Sequence, residues 1–441
     1  MSFIHFINTK ILGAILGPFL LLLGLFFWFY LGGFPLLHPK RTLKLLFRPP
    51  KGKKDGSFRQ MTVALAGTLG VGNITGVGVA LSVGGPGAIL WMWVGALATM
   101  LLKYAEIGLT LYQKKEKNQG AYPYIKRALG KRAATLFLLL CLLCSFFMGS
   151  LLQGNVIAET LSESFSFSCE AVGLCLLFST LLLFLGGRRF IERASSVVIP
   201  ILSFLYIFFS LIVIFVNITF LPEKLSLILR SAFSLKSAGG GMMGYGFIQA
   251  MRAGISKGLF SHEAGAGTAP LAHGEAKALP AKQGLFGIAE VGIDTLVICT
   301  LTALTVLLSF DSLPPLSGTA LVSAAFATLY GRIASPLVSV AIVCFSYATV
   351  ACWVYYGQVA LSLFSERPLY RGLYALFFSL LLPIGALSSP EGAWGMTDAL
   401  LGVMTLLNGV ALFKSRANVR KLTEEAGLTK QKSKQKDRFV L

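Results

Sequence analysis

The sequence is divided into long apolar runs separated by polar loops, and this pattern constrains the fold more than any other feature. Residues of the set Ala, Val, Ile, Leu, Met, Phe, Trp, Tyr and Cys make up 55% of the 441 positions, and 13% are charged. A membrane-spanning helix needs about 20 apolar residues, so this inventory suffices for about eleven helices. We predict an all-α polytopic membrane protein, and the composition excludes a soluble domain, a disordered chain and a disulfide scaffold. The predicted spans are 11–30, 61–83, 87–102, 133–157, 171–187, 195–221, 241–268, 284–309, 336–363, 373–387 and 393–413.

The positive charge is concentrated in alternate loops. The formal net charge is +20, which in a soluble protein would suggest a nucleic acid partner. However, 32 of the 39 Lys and Arg residues lie in loops that would face one side of the membrane, and five lie on the other side. The positive-inside rule then puts the N-terminus outside and the C-terminus in the cytoplasm, and no nucleic acid partner is predicted. The basic stretches are 38–59, 103–132, 188–193, 273–283, 366–371 and 414–441.

Two predicted spans are interrupted by glycines and polar residues. The segment GTLGVGNITGVG at 67–78 contains five glycines together with Thr68, Asn73 and Thr75. The segment GISKGLFSHEAGAGTAP, which begins at Gly254, contains charged residues as well. Non-helical backbone persists at membrane depth only where it lines a polar cavity or is buried in protein. We therefore predict a polar site at both breaks, because close helix packing alone would explain the glycines but not their polar neighbours.

The two interrupted spans begin equivalent blocks of the chain. They lie about 190 residues apart, and each opens a block of five predicted spans. An odd number of spans per block means that the blocks enter the membrane from opposite faces, as in the inverted repeats of secondary transporters. The predicted domains are an extra N-terminal transmembrane helix with a basic cytoplasmic loop (1–60), a first five-helix repeat (61–230), a second five-helix repeat (231–413) and a basic cytoplasmic tail (414–441).

Six segments, among them GTLGVGNITGVG at 67–78 and GLFSHEAGAGTAPLAH at 258–273, together resemble one family of amino-acid transporters, the alanine or glycine:cation symporters of bacteria and archaea. The resemblance covers 67–413 and implies a leucine-transporter fold of five plus five inverted spans, with one extra N-terminal helix. It also implies that the protein is located in the inner (plasma) membrane of a bacterium or archaeon. The segments that resemble the family are GTLGVGNITGVG at 67–78, GSLLQGNVIA at 149–158, GLFSHEAGAGTAPLAH at 258–273, GIDTLVICTLTAL at 292–304, WVYYG at 353–357 and WGMTDALLGVMTLLNG at 394–409.

The resemblance also implies which residues bind the substrate and the coupling ion. In this fold an unwound helix offers amide N–H groups to the substrate carboxylate and carbonyl oxygens to Na⁺, so one break can hold both. The implied substrate-binding residues are Gly70, Val71, Gly72, Asn73, Thr75, Gly76, Gln153, Phe260, Ser261, Gly265 and Gly267. The implied sodium-binding residues are Thr68 and Asn73 for one ion, and Ala66, Leu69, Phe345 and Thr349 for another.

The chain departs from the family pattern at two of these places. Ala348 stands where the family usually has Ser, so only Thr349 keeps a hydroxyl on that helix. His262 stands where the family usually has Asn, and it supports two hypotheses. Either the imidazole adds proton coupling, or it makes the hydrogen bond that Asn would make. Glu263 is expected to bind a ligand or to satisfy unwound amides, and Asp398 is expected to pair with neighbouring backbone or with an Arg.

Other classes of function fit the sequence less well. A channel would need a continuous polar stripe, whereas the polar residues cluster at the two breaks. A zinc enzyme is excluded because the segment SHEAGA has Ala266 where the HExxH motif has its second His. We predict a secondary active transporter in the lipid bilayer, not an enzyme, that imports alanine, glycine, serine or a D-form with Na⁺ and needs no protein partner. The alternatives are a proton-coupled symporter that uses His262 and a membrane protein without transport activity.

Overall fold

The structure is a computed structural model that describes residues 13–48, 56–113, 119–234 and 245–429. These residues form helices and turns without any β-strand, so the predicted all-α class is confirmed. In the first half of the chain the helices are α1 (Gly13–Tyr30), α2 (Phe34–Leu37), α3 (Pro39–Leu46), α4 (Ser57–Thr68), α5 (Val77–Gly84), α6 (Gly87–Tyr112), α7 (Tyr122–Leu129), α8 (Lys131–Phe146), α9 (Leu152–Phe165), α10 (Cys169–Val216) and α11 (Leu221–Ala232).

The second half contains a further nine helices among the described residues. They are α12 (Tyr245–His262), α13 (Ala269–His273), α14 (Pro280–Val291), α15 (Thr300–Ser309), α16 (Gly318–Tyr330), α17 (Ala334–Ser362), α18 (Pro368–Ala386), α19 (Pro390–Lys414) and α20 (Arg416–Glu425). Three wider π-helical turns join consecutive helices, and short 3₁₀ turns precede α11 and α17. The π-helical turns are Gly72–Gly76, Phe147–Leu151 and Gly292–Cys299.

Many of these helices are long and apolar enough to cross a membrane. In the described part of the chain eight segments meet this condition, and a ninth does if the bent pair of Ser57–Thr68 and Gly72–Gly84 is one span. The helix α10 contributes two of the eight, because the chain kinks at Gly187, where φ is +65°. Shorter apolar helices cover Ile15–Tyr30 and Gly318–Tyr330. The predicted multi-pass helical architecture is therefore confirmed in this coarser form.

Some predicted boundaries are wrong. The predicted span 87–102 ends too early, because α6 continues to Tyr112 and so contains Lys103 and Glu106. Both side chains are buried in the protein, so Lys103 does not belong to the basic loop in which the sequence analysis counted it. The predicted span 241–268 begins outside the described residues, and its helix already ends at His262. The thirteen-residue helix α16 was not among the predicted spans.

The helix α6 occupies a central position because it packs against α1, α12 and α14. Its approach to α12 depends on a glycine, since a Cβ atom at Gly254 would lie 2.2 Å from the carbonyl oxygen of Ala88. A similar contact joins α6 to α14, where a Cβ atom at Gly284 would lie 2.8 Å from the carbonyl oxygen of Tyr104. This close packing brings the charged side chains of α6 to the break that follows α12.

Candidate functional site

The first break separates α4 from α5. The α-helix ends at Thr68, Leu69 is extended with ψ at +91°, and the chain resumes as the π-helical turn Gly72–Gly76. The two halves are bent by 55°. The side chain of Asn73 stabilises the unwound segment, because its Oδ1 accepts a hydrogen bond of 3.1 Å from the amide of Gly70. The predicted interruption of this span is therefore present in the structure.

Asp294 connects the first break to the second. Its Oδ1 accepts a 2.8 Å hydrogen bond from Nδ2 of Asn73, and its Oδ2 accepts a 2.7 Å hydrogen bond from Oγ of Ser261. Thr295 donates a third hydrogen bond of 2.8 Å to Oδ2. The Asp294 side chain is 1% exposed, and these three donors satisfy both of its oxygens. One residue from each break thus meets at a single buried carboxyl group.

The two breaks are also in direct van der Waals contact. A Cβ atom at Gly72 would lie 2.8 Å from Cα of Ser261 and 3.2 Å from the ring of Phe260. Only glycine allows this approach, because the nearer atom belongs to the backbone and cannot rotate away. The structure therefore brings together the predicted residues Gly72, Asn73, Phe260 and Ser261.

The predicted sodium ligands of α17 lie beside the first break. The hydroxyl of Thr349 lies 3.2 Å from the carbonyl oxygen of Ala66 and 3.1 Å from that of Phe345. A threonine hydroxyl has one hydrogen, so it can donate to only one of these two carbonyls at a time. Gly70 completes the contact, because a Cβ atom there would lie 2.6 Å from the Thr349 oxygen. Three oxygens from two helices therefore converge next to a position that requires glycine.

Other predicted residues lie near the breaks but have different partners. Leu69 and Val71 are buried, and the hydroxyl of Thr68 donates to the carbonyl of Ala64 within α4. The hydroxyl of Thr75 lies 2.7 Å from that of Thr319 on α16. Gly76 is buried within the π-helical turn, where its amide donates to the carbonyl of Val71.

Gln153 is not linked by a described hydrogen bond to either break. It lies at the start of α9, and its Nε2 donates a 3.0 Å hydrogen bond to the carbonyl of Met148. Its Oε1 is buried and has no hydrogen-bond partner among the described residues. The carbonyl of Met148 needs a donor, so this arrangement fixes the amide with its acceptor oxygen free. An acceptor of this kind suits a ligand that donates hydrogen bonds.

The second break is supported by α6. The α-helix α12 ends at His262, whose carbonyl accepts a 2.8 Å hydrogen bond from Nζ of Lys103. One turn further along α6, Oε2 of Glu106 accepts a 2.9 Å hydrogen bond from the amide of Gly267. A cation is favourable at the C-terminal end of a helix, and an amide N–H is a good donor to a carboxylate. The two side chains thus complement opposite ends of the break.

The polar groups of Gly265 and Gly267 are therefore engaged by the protein itself. Asn408 donates from Nδ2 to the carbonyl of Gly265 at 2.9 Å and to Oε2 of Glu106 at 3.0 Å. Its Oδ1 accepts a 2.7 Å hydrogen bond from the hydroxyl of Tyr124. Both glycines have φ values above +80°, which side-chain-bearing residues rarely adopt. In this structure both glycines shape the break, and the substrate-binding role that the sequence analysis gave them stays a prediction.

Lys103 belongs to a buried polar chain that extends away from the break. Its Nζ lies 3.2 Å from Oε2 of Glu290, whose Oε1 lies 2.7 Å from Nε2 of His273. The Nδ1 atom of His273 lies 2.6 Å from Nε2 of Gln283. The sequence analysis missed Lys103, Glu106, Glu290 and Asn408. The available signal was the pair of charges inside the apolar run LLKYAEIGL, since charges at membrane depth usually have a partner.

His262 and Glu263 have partners that bear on the sequence hypotheses. Nδ1 of His262 accepts a 3.0 Å hydrogen bond from the amide of Ala264, which the oxygen of an Asn could also do. Oε2 of Glu263 accepts a 2.5 Å hydrogen bond from the hydroxyl of Thr268. The unwound amide of Ala264 donates to His262 and that of Gly267 donates to Glu106, so the Glu263 side chain is not the acceptor for either amide.

An ion pair and two aromatic rings lie next to the contact between the breaks. Lys257 and Asp398 approach to 3.0 Å, so Asp398 pairs with a Lys and not with the Arg or backbone that the sequence analysis expected. The Lys257 ammonium lies 4.5 Å from the ring centroid of Trp394, and this ring lies 4.7 Å from that of Phe260. These contacts tie α12 to α19 beside the predicted substrate residue Phe260.

Comparison with solved structures identifies the fold. A manganese transporter of Eremococcus coleocola aligns with a TM-score of 0.54 and 16% identity over 82% of this chain and 78% of that chain. The transporter MhsT in complex with L-phenylalanine aligns with a TM-score of 0.50 and 13% identity over 81% of this chain and 98% of that chain. Both likenesses concern the fold alone, and they indicate a fold like that of the leucine transporter.

Sequence comparison then gives the family. The model described as "Sodium:alanine symporter family" matches residues 1–440, and the chain belongs to this family. An uncharacterized transporter of Haemophilus influenzae is 35% identical over 96% of this chain and 95% of its own length. The sodium/alanine symporter AgcS of Methanococcus maripaludis is 31% identical over 93% of this chain and 94% of its own length. The resemblance predicted from the sequence is confirmed, and the chain is a transporter, not an enzyme.

The contact between the breaks gives a first prediction. We expect Gly72→Ala to abolish transport, because its Cβ would force the breaks apart and overpacking also destabilises the fold by about 1 to 3 kcal/mol. Gly258→Ala on α12 is the matched control, since its Cβ would lie 3.6 Å from Cα of Met92, which is an ordinary contact. Uptake in vesicles and thermal unfolding in detergent measure both effects. Wild-type transport by Gly72→Ala would show that the breaks do not touch as described.

The ion pair of α6 gives a second prediction. We expect Lys103→Met to destabilise the protein by about 3 to 5 kcal/mol, because it leaves a buried carboxylate without its counter-charge. Adding Glu290→Gln should restore part of this loss, because an amide needs no counter-charge. Lys421→Met is the control, because its pair with Glu425 is 4.0 Å long and exposed. Thermal unfolding in detergent compares the variants, and an unchanged midpoint for Lys103→Met would contradict the pairing.

Proposed function

We propose that the protein is a secondary active transporter that imports alanine or glycine, and also serine or D-forms, together with Na⁺. The observation that carries this proposal is the meeting of the two breaks at Gly72 and Ser261, with Asp294 bonded to both sides and Thr349 next to Ala66. An unwound helix in this setting offers amides for a carboxylate and carbonyl oxygens for a hard cation. The close approach of Phe260 to Gly72 favours a small substrate.

The substrate would bind across the first break with its two charged groups held by neutral partners. The amides of Val71 and Gly72 would donate to the carboxylate, while Gly70, Thr75 and Gly76 would shape the turn. The free Oε1 of Gln153 would accept from the ammonium group, which is the donor that this buried acceptor lacks. Phe260 and Ser261 would close the site from the second break.

Two sodium sites would share the first broken helix. In one, the carbonyls of Ala66, Leu69 and Phe345 and the hydroxyl of Thr349 would bind the ion. The convergence of the Thr349 hydroxyl with the carbonyls of Ala66 and Phe345 supports this assignment. In the other, Asn73 and the carbonyl of Thr68 would contribute, with Asn73 close to the substrate carboxylate. Neutral oxygens suit a hard monovalent cation. The opposite charges of Na⁺ and of the neighbouring carboxylate would make the binding of each favour the binding of the other.

The architecture we propose completes the family layout. It has eleven transmembrane helices, with repeats at 61–230 and 231–413 in opposite orientations and an extra N-terminal helix within 1–60. The tail 414–441 would be cytoplasmic and the N-terminus outside, because basic residues remain concentrated on one side after Lys103 is removed from the count. The protein would lie in the inner membrane of a bacterium or archaeon, without an obligate protein partner.

We do not propose His262 as the proton carrier. Its Nδ1 already accepts an amide hydrogen, and its carbonyl binds the ammonium of Lys103, so a second positive charge on the ring would be close to the first. A relative of 31% identity in Bacillus subtilis is named as a putative sodium/proton-dependent alanine carrier, YrbD, and another of 32% is named as the probable sodium/glutamine symporter GlnT. Relatives at similar identity are thus named for different ions and substrates, so the ion and the substrate of this chain need direct measurement.

Gradient-driven uptake tests the proposed function. We expect the purified protein in liposomes to accumulate labelled alanine or glycine when Na⁺ is higher outside than inside, because the ion and substrate bind together. Accumulation should stop when K⁺ replaces Na⁺, with protein-free liposomes as the control. Uptake that is indifferent to Na⁺ at every pH would remove sodium coupling, and absence of uptake for every small neutral amino acid would remove the substrate class.

Single substitutions on α17 test the sodium site. We expect Thr349→Ala to raise the Na⁺ concentration for half-maximal uptake by about fivefold to tenfold, since the loss of one coordinating oxygen should weaken Na⁺ binding by about 1 to 1.4 kcal/mol. Ala348→Ser should lower it by supplying a second hydroxyl. Ala341→Ser is the matched control, because Ala341 lies about two turns from Thr349 on the same helix and lines an apolar groove. If neither Thr349→Ala nor Ala348→Ser changed the sodium dependence, this site would be wrong.

A further inference from the structure

Glu263 presents a carboxyl group that is only half satisfied. Its side chain is 1% exposed, and it is the first residue after α12, where its φ of +50° is unusual for a residue with a side chain. Its Oε2 accepts the hydroxyl hydrogen of Thr268, whereas its Oε1 is buried and has no hydrogen-bond partner within the part of the chain that the structure describes. A buried polar atom without a partner is costly and indicates a missing ligand.

The charges around Glu263 do not neutralise it. The basic side chain that acts on it is Lys103, which is already bound to Glu290 at 3.2 Å and to the carbonyl of His262 at 2.8 Å. Glu106 also lies on α6 one turn from Lys103, with its own partners at Gly267 and Asn408. The ammonium group of Lys103 therefore lies near several carboxyl groups and cannot neutralise all of them. A carboxylate that lacks a counter-charge in a low-dielectric interior takes up a proton.

The remaining neighbours favour a proton over a metal ion. A hard cation such as Na⁺ needs several oxygen ligands, whereas the titratable groups of α8 and α17 that interact electrostatically with Glu263 are mainly thiols. In the described residues, no group of three His, Cys, Asp or Glu side chains could hold a metal ion. The titratable or charged groups that act on Glu263, or on which it acts, are Lys103 on α6, Cys141 and Cys144 on α8, Cys352 and Tyr356 on α17, and Asp294 between α14 and α15.

We propose that Glu263 is a proton-binding site, and that the proton on Oε1 is exchanged with water once in each transport cycle. In the closed arrangement described here the proton forms an O–H bond with Oε1 and the carboxyl group is neutral. When the break opens to the inside and water enters, the O–H bond breaks, the proton leaves to that water and the carboxylate is charged. When the break opens to the outside, the carboxylate takes a proton from the outer water and the O–H bond forms again. The position of Glu263 at the end of α12 places it where such opening would occur. This inference rests on the proposed transport function only for the exchange step.

Infrared spectroscopy tests the bound proton without transport. The wild type in lipid vesicles, without Na⁺ or amino acid, should show a protonated-carboxyl C=O band at neutral pH that Glu263→Gln lacks. Glu163→Gln, at an exposed position of α9, is the matched control and should keep the band. Identical bands in the wild type and in Glu263→Gln would overturn the proton site, whether or not the protein transports amino acids.

Uptake at several pH values tests the exchange. A single coupled proton changes the apparent half-saturation concentration by up to about tenfold per pH unit. We expect wild-type alanine uptake to weaken as pH rises, because the closed state needs the proton, and an inward acid gradient to accelerate it. Glu263→Gln mimics the neutral acid, so its uptake should not respond to pH or to the gradient. Equal responses of the variant and the wild type would overturn the exchange.

A measurement on the wild type alone covers the case in which Glu263→Gln does not fold, as judged by size-exclusion chromatography. Vesicles loaded with a pH-sensitive dye should report proton movement when alanine and Na⁺ are added outside. Proton movement that follows alanine uptake supports the exchange. Alanine uptake without any proton movement would overturn it while leaving sodium-coupled transport intact.

Discussion

The membrane interior provides no water for the peptide groups that a broken helix releases, and the structure around both breaks follows from this constraint. At the first break the amide of Gly70 is bound by the side chain of Asn73. At the second break the carbonyl of His262 is bound by Lys103, and the amide of Gly267 by Glu106. Each released group described here is matched by a side chain of complementary charge or hydrogen-bonding character.

The two breaks are stabilised in different ways, and this difference bears on function. Charged side chains of α6 stabilise the second break, where Glu106 accepts a hydrogen bond from the amide of Gly267. Asn408 of α19 donates to the carbonyl of Gly265 in the same break. Neutral groups hold the first break, where the carbonyl of Ala66 and the hydroxyl of Thr349 face each other. The charged contacts at the second break would let it move together with α6. The neutral groups at the first break are suited to binding an ion reversibly. Asp294 links the two, because it accepts hydrogen bonds from both Asn73 and Ser261.

Much of this arrangement could be predicted from the sequence. Glycines next to polar residues inside an apolar run located both breaks, and the structure places Thr349 and Ala66, two residues of the ion site that stays a prediction, in contact. The C-terminal end of α6 could not be predicted, because Lys103 resembles the start of a basic loop unless its partner is known. That partner, Glu290, lies on α14 and is brought near only by tertiary packing. The hydrogen bonds of Gly265 and Gly267 could not be predicted for the same reason, since Glu106 and Asn408 are remote in sequence.

The central claim is that one broken helix binds the amino acid and the sodium ion together. Equilibrium binding of alanine to the purified protein at a series of Na⁺ concentrations tests it most directly. The claim predicts that the alanine dissociation constant falls as Na⁺ rises, and that alanine strengthens Na⁺ binding by the same factor, because coupling between two bound ligands is reciprocal. An alanine affinity that is the same with and without Na⁺ would contradict a shared site.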